Sequence, residues 1–220
     1  MNRKIVISVF LLFAGAALCA GDPVEPQALT IYNRTGYPIR HIFVTTGDAG
    51  YWGPDILTGD EELENNELKG ILLHVPGPDR EFHFMAVDAE GYTYMIYDRK
   101  IPIEKPGEIV FRFAHFLEAA PEQEFISLRV VNRTVPLYRL FIAPEDSSSR
   151  GADLLYGEII LETGDSVELL LPAQREAVPY AVYAVDEDLD DYLVRLDLGI
   201  ERPDADNTVT VSIEVADQLF

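Results

Sequence analysis

Basic side chains are scarce in this chain of 220 residues: 17 Lys and Arg stand against 38 Asp and Glu, a formal net charge of -21. A surface that acidic repels polyanions, which argues against nucleic acid and anionic membrane surfaces as partners. Cysteine is nearly absent, with Cys19 the single example, so neither an intramolecular disulfide framework nor a zinc site of several thiolates can form. No Gly-x-Ser-x-Gly elbow and no glycine-rich phosphate loop occurs. The longest early apolar run, Ile5 to Phe13, falls short of the ~20 residues that span a bilayer. What the chain does have is 48% hydrophobic residues with 11 Tyr and 11 Phe, far more than a solvated acidic tail carries. A folded body follows, as one large or two small domains.

Residues 1–20 read as a secretory signal peptide: Arg3 and Lys4, then the apolar run, then Ala14, Gly15, Ala16 and Ala17. Cleavage after Ala20 gives an extracytoplasmic product, periplasmic or secreted, whose mature domains do not insert in the membrane. The alternative makes Cys19 a lipid-bearing residue, although Leu18 and Ala16 stand in the reverse of the usual lipoprotein order.

An internal repeat sets the architecture. Leu29-Thr-Ile-Tyr-Asn-Arg-Thr35 is echoed by Leu128-Arg-Val-Val-Asn-Arg-Thr134, at an offset of 99. Gly53-Pro-Asp-Ile-Leu57 matches Gly151-Ala-Asp-Leu-Leu155, Ala86-Val-Asp88 matches Ala184-Val-Asp186, and Tyr94 matches Tyr192, all at 98. The expected domains are 27–116 and 125–220, joined by the short polar linker 117–124, each closing its own core. Within each copy the apolar positions alternate with period two, as in Leu29 and Ile31 or Leu128 and Val130. Turn signals such as Thr58-Gly59-Asp60 and Glu162-Thr-Gly-Asp165 separate the runs. Six or seven short strands per copy predict an all-β fold, two tandem antiparallel β-sandwich domains of Ig-like or C2-like kind.

Asn-x-Thr-Gly at 33–36, Trp-Gly-x-Asp-x-Leu at 52–57 and Val-Asp-x-x-Gly-x-x-Tyr at 87–94 resemble the motifs of a loosely defined family of small exported bacterial β-domains. That resemblance implies a β-sandwich without assigned biochemistry. The second copy departs from it, with Val135 set against Gly36, Arg150 against Trp52 and Leu189 against Gly91.

Several residue groups invite a chemical reading beside a plainer one. The acidic turn Asp186 to Asp191 could collect calcium, yet its spacing is not that of an EF-hand and a solvated turn is expected. All four histidines, His41, His74, His83 and His115, lie in the first copy, and the alignment sets His41 against Leu140, His74 against Pro172 and His83 against Ala181. Glu81 and His83 share a strand face, while His74 is expected to face water. Tyr51 and Trp52 could stack on a sugar or a protein, but a lid over the domain's own core is favoured. Asp55 and Asp153 are expected to cap short turns, with Arg40 and Arg139 as their charge partners across a strand. Asn33 and Asn132 satisfy the glycosylation triplet, and turn capping explains them better. Ser147-Ser148-Ser149 lies in the copy that has no histidine.

The reading that results is a non-catalytic exported module of a bacterial envelope, acting through contacts with an unknown protein or envelope component. It is not an enzyme, and no cofactor, catalytic residue or metal site is assigned. The alternative is a carbohydrate- or calcium-binding β-sandwich that uses Tyr51, Trp52 or the 186–191 turn.

Overall fold

A computed structural model describes residues 26–77, 80–102, 106–118, 124–173, 178–198 and 208–219. The leader at 1–20 with Cys19, and most of the 117–124 linker, lie outside them. Six strands occupy the first half: β1 (Gln27–Arg34), β2 (Ile39–Thr46), β3 (Leu68–Leu73), β4 (Glu81–Asp88), β5 (Thr93–Lys100) and β6 (Gly107–Arg112). Six more occupy the second: β7 (Phe125–Asn132), β8 (Leu137–Pro144), β9 (Ser166–Pro172), β10 (Val178–Asp186), β11 (Asp191–Leu198) and β12 (Thr208–Ile213). Each half ends in a short 3-10 turn, Phe113–His115 and Val215–Asp217. Among the described residues no helix is long and apolar enough to cross a membrane.

The halves repeat one topology. Sheets ordered β3-β1-β6 and β2-β4-β5 in the first are matched by β9-β7-β12 and β8-β10-β11 in the second. The fold is all-β, as the period-two patterning requires: in β1, Leu29, Ile31 and Asn33 are buried and the residues between them are not. Pairing is antiparallel except for β1 with β6 and β7 with β12, which run parallel. The purely antiparallel expectation misses these pairs, because the strands that close each half return to the first strand by a crossover rather than a hairpin.

The structure corrects two further expectations. The halves do not close separate cores; one contiguous cluster runs from Leu29 and Phe84 in the first to Leu128 and Tyr180 in the second. The reason is an exchange of segments. Residues 53–57 stay bonded to β2, where the Ile56 N–H donates to Ile42 O at 2.9 Å, and reach across so that the Asp55 N–H donates to Leu170 O of β9 at 2.7 Å. Residues 151–155 stay bonded to β8, where the Leu154 N–H donates to Leu140 O at 2.8 Å, and reach the other way so that the Asp153 N–H donates to Leu72 O of β3 at 2.8 Å. Each crossing segment covers a strand edge that would otherwise expose unpaired amide groups. Gly53 stands where the approach is tightest: a Cβ there would sit 2.9 Å from Val44 O and 3.5 Å from Ile142 O of the opposite half. Tyr180 Oη donates to Trp52 O at 2.8 Å and Tyr156 Oη to Ile56 O at 2.6 Å, pinning the crossing from the second half.

The second correction is one of register. Asn33 Nδ2 donates to Tyr37 O and Asn132 Nδ2 to Val135 O, while Ile39 bridges Leu63 as Leu137 bridges Leu161. Gly36 is therefore the extra residue of the first turn. Tyr37, not Gly36, corresponds to Val135, and His41 corresponds to Arg139 rather than to Leu140.

Candidate contact surface

The residues shared by both copies turn out to hold turns. Asn33 is fully buried; its Oδ1 accepts from the Thr35 N–H and hydroxyl, and its Nδ2 donates to Tyr37 O and Leu63 O. Asn132 does the same with Thr134 N–H, Val135 O and Leu161 O. Buried amides so engaged are not glycan acceptors. At the hairpins, Asp88 Oδ1 takes the N–H groups of Glu90 and Tyr92 while Oδ2 takes the Tyr94 hydroxyl at 2.9 Å. Asp186 repeats this with Asp188, Asp190 and Tyr192. Burial and the neighbouring carboxylate push both tyrosine hydroxyls above their ordinary pKa.

Asp55 and Asp153 each hold two amide hydrogens on Oδ1, from Ile42 and Leu57 and from Leu140 and Leu155. The expected partner Arg40 is elsewhere, bonded through Nε to Glu62 at 2.7 Å. Asp55 Oδ2 instead meets His41 Nδ1 at 2.6 Å, since the shifted register brings His41 to that place. Arg139 fills the equivalent position and lowers the Asp153 pKa by its charge, but among the described residues Asp153 Oδ2 is buried without a hydrogen-bond partner. Burial therefore dominates, pushing the Asp153 carboxyl up to about 6. Burial also raises Asp55, against the opposing pull of its His41 and amide hydrogen bonds.

The other histidines do not gather around this pair. His83 lies opposite Thr45 and His41 opposite Val87, so four residues, or about 13 Å of strand, separate them. His83 Nδ1 accepts from the Asp98 N–H. His74 does not face water as expected: it is half-buried at the crossing, where its N–H donates to Gly151 O and its Nδ1 accepts from the Arg150 N–H. Burial and the Arg150 charge push it down to about 4, so the ring is neutral. His115 Nδ1 accepts from the Arg112 N–H, and burial with the Arg112 charge lowers its pKa too. Ser147 hydrogen-bonds Thr46 and Ser149 donates to His74 O, which ties the serine cluster to the junction.

Trp52 packs on the outer face of β2-β4-β5 with the separate cluster of Phe43, Met85 and Val87, so it covers that small cluster and not the domain's main core as expected, while Tyr51 lies against the main core. Arg150 covers the equivalent face by another chemistry, lying 4.9 Å from the Tyr183 ring centre and forking onto Asp191 at 2.8 and 3.1 Å. The acidic turn is therefore largely committed: Asp186 to the hairpin, Asp190 to Gln218 Nε2, and Asp191 to Arg150. Among the described residues no three His, Cys, Asp or Glu side chains group to hold a metal ion.

An open group of rings was not singled out by the sequence motifs. Tyr37 meets Tyr92 edge-on at 6.1 Å, Tyr92 meets Phe116 edge-on at 5.4 Å, and Phe116 stacks with Phe113 at 5.7 Å and 10°. Tyr92 is 46% and Phe113 59% exposed, so this is a run of rings presented to solvent at the end of the first half. Three chain segments supply it: the β1–β2 turn, the β4–β5 hairpin and the 3-10 turn after β6. The same places in the second half hold Val135, Asp190, Val215 and Gln218, with a hydrogen bond from Gln218 to Asp190 where the Tyr92–Phe116 ring pair stands. A column-by-column comparison of the two copies for aromatics present in only one would have found it.

No family model and no curated protein matches the chain. Among solved structures, a putative adhesin from Bacteroides ovatus aligns at 12% identity and a TM-score of 0.24, covering 90% of this chain and 98% of that one. A family 26 carbohydrate-binding module from Eubacterium rectale, solved with maltoheptaose, aligns at 7% identity and a TM-score of 0.24, covering 88% and 95%. At that level of superposition neither says what this chain does.

Proposed function

We propose that the chain is a non-catalytic, exported module of a bacterial envelope that works through surface contacts, with the ring-bearing end of its first half as the contact face. The run of exposed Tyr37, Tyr92 and Phe113, braced by the part-buried Phe116, carries the reading. Half-exposed rings held rigid by one another bury large area on docking at little entropy cost, and a folded core gains nothing from leaving them in water. The motif residues, by contrast, are spent on turns and on the crossing. Export rests on the leader pattern of residues 1–20.

The test is co-sedimentation of the mature chain with isolated envelope fractions. Y92A/F113A should lose binding by about tenfold or more, whereas Y97A, which removes an equally open ring outside this end, should bind as wild type. Equal binding by all three proteins contradicts the reading. The open face of Phe113 also supports the carbohydrate alternative, which a melting shift of several degrees on adding a soluble glycan, lost in F113A, would favour.

A further inference from the structure

Beside the rings, the edges of β5 and β6 meet in a cleft of about 330 Å³ lined by Ile96, Arg99, Glu108, Val110, Arg112 and His115. Arg112 ends β6 and lies next to Arg34, which ends β1 in the parallel register. Two like charges side by side on a sheet are unfavourable. Among the described residues neither makes an ion pair, in a chain where acids outnumber bases two to one. Arg99 reaches the backbone, donating to Glu108 O at 3.4 Å.

The equivalent end of the second half inverts this chemistry. Gln218 bridges Tyr192 as Phe116 bridges Tyr94, which sets Glu214 at the Arg112 position and Asp217 at the His115 position. Both turns need an acceptor three residues on for the N–H that opens them, and His115 Nδ1 and Asp217 Oδ2 supply it at 3.1 and 2.7 Å. The fold would accept Asp at either place; the first half has a neutral imidazole, so among the described residues Glu108 is the one acid lining a cleft that holds Arg99 and Arg112 with Arg34 alongside. Glu214 is exposed, and Val215 beside it is 63% exposed.

We infer that the Glu214–Asp217 turn of one molecule docks in the Arg99–Arg112 cleft of another, beside Arg34, its Val215 against the neighbouring rings, so that copies associate head to tail. The inference rests on the reading above and names a second copy of this chain as a partner of that end. Two different surfaces meet, so the contact propagates to a ring or a filament rather than stopping at a two-fold dimer. Each copy carries the same net negative charge, so assembly runs against a long-range repulsion that physiological ionic strength screens beyond ~8 Å, and the pairing of the acidic turn with the arginines acts within that distance.

Exchanging the two turn sequences tests it while keeping both backbone caps. R112E/H115D makes both ends acidic, and E214R/D217H makes both basic. In sedimentation velocity with purified mature chain alone, the wild type should form species larger than dimers as its concentration approaches millimolar. Each variant should associate at least about tenfold more weakly, and an equimolar mixture of the two should recover assembly. Recovery in the mixture also shows that both variants are folded. A wild type that stays monomeric, variants that assemble like it, or an inert mixture of variants with unchanged circular dichroism overturns the inference. No envelope material is present, so failure here leaves the ring-substitution result standing, and the reverse holds too.

Discussion

Asp153→Asn isolates the cost of a carboxylate buried without a partner for its second oxygen. Asn keeps an oxygen for the Leu140 and Leu155 N–H groups at 3.2 and 3.1 Å. The wild-type carboxyl ionises near the ordinary 3.8 when the chain is unfolded and at about 6 when it is folded. Below the lower value both states hold the proton and the group does not affect stability. As pH rises between the two values the unfolded chain releases its proton first, so unfolding is favoured, and the loss levels off once the folded carboxyl ionises as well. The gap corresponds to about 3 kcal/mol, of which about 2 kcal/mol accrues between about pH 4 and pH 7. Urea unfolding of both proteins at several pH values reads it. The absolute offset contains the cost of burying an amide NH2, but the change of that offset with pH does not. D153N should gain on wild type by about 2 kcal/mol over this interval. A difference that is flat, or that shrinks as pH rises, refutes the assignment.

Asp55→Asn should cost about 1 to 3 kcal/mol at neutral pH, because His41 loses the carboxylate at 2.6 Å, while its offset from wild type should move with pH in the same direction as that of D153N, since burial raises the Asp55 carboxyl as well. Tyr180→Phe removes the hydroxyl that holds Trp52 O and should cost about 1 to 2 kcal/mol while unfolding remains a single transition, since both halves share one core. A second transition in calorimetry would contradict the exchanged segments. Asp88→Ala frees two turn amides and the Tyr94 hydroxyl, and should cost about 3 kcal/mol by chemical denaturation.

The all-β class and the duplicated topology were legible because burial with period two and turn residues leave local marks, and Asn33, Asp88 and their second-half equivalents act within a few residues of themselves. The exchange of segments left none. A bond from the Asp55 N–H to Leu170 O involves only backbone, and the same Asp-Ile-Leu motif would cap a turn in an isolated domain. The register error came from one inserted residue, Gly36: with no side chain to align, the matching ran on at the wrong offset and hid the His41–Asp55 contact. The rings escaped notice for a related reason. Tyr37, Tyr92, Phe113 and Phe116 belong to three separate segments and have no aromatic counterparts in the second copy, so a search for what the copies share passes over what one of them adds.

Hydrogen exchange of the mature chain, measured with and without isolated envelope fractions, tests the contact face most directly. Amides of Gly36 and Tyr37, of 89–92 and of 113–117 should be protected together when the envelope fraction is added. Protection confined to the 51–53 loop or the 186–191 turn, or none anywhere, would contradict the assignment of that face.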